Sequence, residues 1–92
     1  DGFRTLFRKS PVKRIGRARF LRNVLIAIGN SGDAVLAAEA RSLLGDSSPL
    51  VRGAAIWALS RLLMRDEFRA VAQQHSPSEI DATVQAEWSA AI

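Results

Sequence analysis

The chain has no cysteine, a single histidine (His75), one methionine and three prolines in 92 residues. Without cysteine this stretch can form no disulfide, no iron–sulfur cluster, no Cys-type zinc site and no thiol nucleophile. His75 has no Cys, His or acidic companion at ligand spacing, so it reads as a helix-end residue, and metal chemistry is not expected here. Apolar runs such as Val24 to Ile28 fall far short of the roughly 20 residues a membrane span needs, and no secretory signal pattern precedes them. The chain therefore reads as soluble and cytoplasmic, with no membrane partner. A chain of this length makes one domain, burying roughly 60–65% of the surface it exposes unfolded. Starting at Asp1 rather than Met, it reads as a piece of a longer protein.

Charge is unevenly spread. Thirteen Lys and Arg stand against nine Asp and Glu, a formal net charge of +4. Eight of the basic residues lie in the first 22 positions: Arg4, Arg8, Lys9, Lys13, Arg14, Arg17, Arg19 and Arg22, with Asp1 the lone acid among them. From Asp66 onward the balance inverts, with five acids against Arg69. Such asymmetry points to an anionic partner at the basic end, either nucleic acid or an acidic protein surface, or else to a merely solvated arm.

Apolar residues recur at three- and four-residue spacing with no strict alternation, which predicts an all-α fold of about five helices. Residues 1–12 read as a basic arm with a short helix carrying Phe3, Leu6 and Phe7, ended by Ser10-Pro11. Residues 13–92 read as the helical domain. Its first helix runs from about Arg17 to Gly29 with Leu21, Val24, Leu25 and Ile28 on one face, stopping at Gly29-Asn30-Ser31-Gly32. Asp33 is placed to cap a helix carrying Leu36, Ala37, Ala40, Leu43 and Leu44. Ser48-Pro49 opens another, with Val51, Ala54, Ala55, Ala58, Leu59 and Leu62 in a stripe. Asp66 is expected to cap a helix through Gln74, and Ser76-Pro77-Ser78-Glu79 has capping-box spacing ahead of Ile80, Val84 and Trp88.

A shift of 30 residues aligns Phe20-Leu21-Arg22-Asn23-Val24-Leu25-Ile26 with Leu50-Val51-Arg52-Gly53-Ala54-Ala55-Ile56. A helix pair that repeats in this way cannot bury its apolar face alone, so pairs stack into a solenoid. Asp46-Ser47-Ser48-Pro49-Leu50-Val51-Arg52, followed by Ala54-Ala55 and Ala58-Leu59, resembles the HEAT-repeat signature. In that pattern Asp46 and Arg52 belong to the framework; Arg52 can instead line a ligand-facing ridge, as its aligned partner Arg22 belongs to the basic cluster.

Arg14-Ile15-Gly16-Arg17, then Phe20 to Gly32, then Ser48 to Leu59, closely resemble the C-terminal part of the epoxyqueuosine reductase family. The resemblance covers positions 13–63; the last 25 or so residues match only in helical character. It implies an oxidoreductase that uses a cobalamin and two [4Fe–4S] clusters to complete queuosine in the anticodon loop of certain tRNAs. Lacking the cluster cysteines and a cobalamin-binding fold, this chain is expected to be the HEAT-like scaffold beside the tRNA, not catalytic by itself, with the cofactors in other domains of the parent.

The residues expected to meet RNA are Lys13, Arg14, Arg17, Arg19, Arg22, Asn23 and Arg52. Basic side chains at a helix N-terminus, aided by its dipole and exposed N–H groups, neutralise phosphates. Asn23 can bond a base edge or ribose, or alternatively the Gly29–Gly32 turn. Phe3 and Phe7, four residues apart, read as an apolar stripe docking onto the repeats; Asn30 and Ser31 read as turn formers. Trp57 lies off the main stripe beside Arg61, and Trp88 closes the final pair. No nucleophilic triad, facing carboxylate pair or phosphate loop is present. Two other readings compete with RNA binding: a monomeric brace docking on its own catalytic domains, and a DNA-binding helix-turn-helix, whose recognition helix at 49–62 is too apolar to read a groove.

Overall fold

The computed structural model describes residues 14–91. Among these there are five α-helices and no strand: α1 (Arg14–Ser31), α2 (Ala37–Ser42), α3 (Pro49–Leu62), α4 (Arg65–His75) and α5 (Ala82–Ala91), with 3₁₀ turns at Ala34–Leu36 and Ser76–Ser78. The expected arm at 1–12, with Phe3 and Phe7, lies outside the described residues. None of the described helices is long and apolar enough to cross a membrane.

The arrangement follows from α3. Val51, Ala55, Ile56, Ala58 and Leu59 are all buried, so its apolar surface is too wide for one neighbour. It therefore sits in the middle, packed along α1 on one side and α5 on the other, with α2 and α4 also against it. From α1 come Leu21, Leu25 and Ile28, at i, i+4 and i+7 of one stripe. From α5 come Val84 and Trp88, and α4 adds Phe68, Val71 and Ala72. Phe68 and Trp88 meet with ring centroids 5.6 Å apart in a tilted pair, closing the last layer.

Several helix ends differ from the sequence expectation. Helix α1 runs through Gly29 to Ser31. Gly29 permits a close approach of α3, since a Cβ there would lie 2.5 Å from Trp57 Cζ3 and 3.2 Å from Ala58 Cα. The turn needs its left-handed residue only at Gly32, φ +69°. Asp33 caps as expected, its Oδ1 accepting from the Val35 N–H at 3.0 Å, but over a 3₁₀ turn that passes into a short α2. At α4 the N-cap is Met64, whose N–H is accepted by the Glu67 carboxylate at 3.3 Å; Asp66 lies in the first turn instead of capping.

The largest revision is before α5. Ser76 to Ser78 form a single 3₁₀ turn, and the helix starts at Ala82, where the Asp81 carboxylate accepts from the Thr83 and Val84 N–H groups at 2.8 and 3.1 Å. Glu79 is committed elsewhere, and Ile80, expected on the core face, is 94% exposed.

Candidate nucleic-acid interface

Two arginines of the expected RNA ridge are tied to carboxylates of the chain itself. Arg17 donates to both carboxylate oxygens of Asp46, at 2.5 and 3.2 Å. Arg52 forks onto Glu79 at 2.9 and 3.0 Å, and its third nitrogen donates to the carbonyls of Asp46 and Ser47. Two-pronged guanidinium–carboxylate pairs of this kind are among the stronger polar contacts available to a protein. The carboxylates are anchored alike: Asp46 accepts the Ser48 N–H and Glu79 the Asp81 N–H, each at 2.9 Å.

These contacts form a ladder with a regular position in the helices. Arg17 is the fourth residue of α1 and Arg52 the fourth of α3, and each reaches the carboxylate three residues ahead of the next long helix of its row. The fourth residue of α5 is Gln85, which donates to the carbonyls of Ser76 and Glu79 at 2.7 and 2.8 Å. Its bond to Glu79 copies the one from Arg52 to Asp46, both spanning six residues, but it carries no charge onward.

Donating hydrogen bonds to Asp46 raises the already high Arg17 pKa, against burial, and donation to Glu79 does the same for Arg52. Burial pushes the Asp46 carboxyl up, but the bonds from Arg17 and the Ser48 N–H outweigh it, leaving it below the ordinary carboxylate value. Glu79 is lowered chiefly by its bond from Arg52, with burial opposing.

The 30-residue shift matches part of the core that α1 and α3 share but not the ladder. Leu21 and Val51, Leu25 and Ala55, and Ile28 and Ala58 are all buried in matching places. Arg22, aligned with Arg52, makes no such pair. Helix α1 has an extra N-terminal turn, and Arg17 in that turn takes the framework role. Arg22 is left exposed, as are Arg19 and Asn23, and Arg19 stands three residues before Arg22 and four before Asn23, the spacings that make neighbours on a helix. Neither Arg19 nor Arg22 has an ion pair among the described residues. Asn23 makes no contact with the Gly29–Gly32 turn that would occupy its amide. Lys13 lies outside the described residues, and Arg14 opens α1.

One side of the α1–α3–α5 row holds a groove of about 630 Å³. Its α1 wall carries Arg22, Ile26 and Asn30, and its floor includes Leu50, Ala54 and Trp57. The Arg61 guanidinium lies 5.4 Å from the centre of the Trp57 ring. Sequence reasoning missed this groove, because its walls come from helices more than fifty residues apart. It also took Glu79 for a capping residue. The six-residue spacing shared by Asp46 and Arg52 and by Glu79 and Gln85 is the signal that could have shown its role.

Compared with protein-family models, curated proteins and solved structures, the chain matches none.

Proposed function

We infer that this chain is a HEAT-like scaffold that holds tRNA for an attached modifying enzyme of the epoxyqueuosine reductase type. Its contact surface is the exposed face of α1 with Arg19, Arg22 and Asn23, to which the sequence adds Lys13 and Arg14. The observation that carries this reading is that α1 keeps Arg19 and Arg22 on one exposed face with no ion pair among the described residues, while Arg17 and Arg52 are tied to carboxylates. The ladder that recurs at both long-helix junctions supports the repeat character, and Arg17 and Arg52 act as framework within it. Phosphate contacts of this kind give affinity and register, leaving base choice to other groups. The redox chemistry, with its cobalamin and clusters, belongs to other domains of the parent.

The test is a titration of the chain with a tRNA bearing a GUN anticodon across a salt series. Wild type should show log K falling steeply with log salt, and Arg19→Glu with Arg22→Glu should flatten the slope by about 1–2. Amide shifts should map to α1. Perturbation confined to α4 and α5, or a slope indifferent to both substitutions, would refute the RNA surface and favour docking on a protein.

A further inference from the structure

We propose that the groove across α1, α3 and α5 is a docking site for a short polypeptide segment, apolar at its centre, with a carboxylate toward Arg22 and a cation toward Glu87. The argument starts from charge. Arg22 stands on the α1 wall and Glu87 on the α5 wall, and among the described residues neither has an ion-pair partner. The same fold closes arginine–carboxylate pairs across its other edge wherever helices come within reach. Here Arg22 and Glu87 line opposite walls of the groove above a largely apolar floor without pairing with each other.

That floor fits side chains. Ile26, Leu50, Ala54, Trp57 and Val84 line it, and about 630 Å³ lies within the range of ligand pockets. Gly53 also lines it, and a Cβ added there would meet nothing within 4 Å. Helix interiors disfavour glycine, and none of its neighbours requires one, so its effect is to keep the groove deep.

A nucleic acid suits the site poorly. Glu87 and Asp81 would repel a phosphate backbone, and the Trp57 ring is already covered by Arg61 and set against Gly29, which removes the flat face a base would stack on. A peptide needs only the ring's edge, and its two charges answer both walls. This site is independent of the RNA reading except that Arg22 borders both.

Selection of a phage-displayed octapeptide library on the 92-residue chain, followed by titration of synthetic peptides, tests the proposal. Enriched peptides should place an acidic and a basic residue around two or more apolar ones. Joint reversal, Arg22→Glu with Glu87→Arg, should favour the peptide with its charges exchanged by about tenfold. Gly53→Leu should fill the groove and weaken binding about tenfold or more while the thermal midpoint holds or rises. Arg19→Glu should leave peptide affinity unchanged whatever it does to tRNA. Absence of enrichment, equal binding by Gly53→Leu, or indifference to the charge reversal would overturn the proposal. So would a tRNA that competes with the peptide and itself loses affinity in Gly53→Leu, since the groove would then belong to RNA.

Discussion

Replacing Gly29 by alanine should destabilise this protein even though alanine is the better helix former. Gly29 sits inside α1, so propensity alone favours Ala by about 1 kcal/mol. The new methyl, however, would lie 2.5 Å from Trp57 Cζ3, 3.0 Å from Cε3 and 3.2 Å from the Ala58 backbone. Neither a ring wedged between helices nor a backbone atom yields as the tip of a flexible chain does, and overpacking of this kind costs about 1–3 kcal/mol. The net expectation is a loss of about 1 kcal/mol, or roughly 4–8 °C in Tm for a domain of this size. In a Trp57→Ala background the two ring contacts, the closest of all, vanish, and the Ala58 approach stays. There Gly29→Ala should stabilise, by about 0.5 kcal/mol, as propensity reasserts itself. Urea titrations followed by far-UV circular dichroism on the four proteins of this cycle give both values. The same direction of change in both backgrounds would refute the claim that Gly29 is held by Trp57.

The other expectations concern the ladder and the start of α5. Arg52→Met removes a fork and two carbonyl bonds from a side chain 14% exposed, and should cost about 2–3 kcal/mol; Arg17→Met, at 34%, should cost about 1. Equal costs by chemical denaturation would count against the different burial of the two rungs. Because Asp46 and Glu79 titrate below their ordinary values when folded, their contribution is complete above the unfolded carboxylate range, about pH 4, and is lost as pH falls through the lowered folded values. Stability should therefore drop on the acid side, and less steeply in Arg52→Met; an unchanged acid limb would dismiss Glu79 as its source. Ile80→Ser should change stability by no more than about 0.5 kcal/mol, whereas Val84→Ala should cost about 2, measured by thermal unfolding. A large loss at Ile80 would mean its side chain is covered.

The sequence by itself determined what depends on near neighbours along the chain. Three- and four-residue apolar spacing put helices at the right places, with Leu21, Leu25, Val51, Leu59, Val84 and Trp88 in the core. Pro49, through its ring-fixed backbone, and Asp33, through its side-chain carboxylate, fixed two starts locally. The concentration of arginines at the front of the chain needs no coordinates to see.

Tertiary structure decided which of those arginines face outward. Arg17, Arg19 and Arg22 look alike in sequence, but only Arg17 comes within reach of Asp46, 29 residues away, and a guanidinium that close to a buried carboxylate pairs with it. The same logic drew Glu79 away from a local cap toward Arg52, moved the start of α5 to Ala82 and left Ile80 in solvent. Gly29 passes for a helix stop until Trp57 arrives from another helix. The groove exists only once α1, α3 and α5 lie side by side. Helix formation is governed by contacts within a turn or two, whereas pairing of charges and the shape of a surface depend on which distant segments packing brings together.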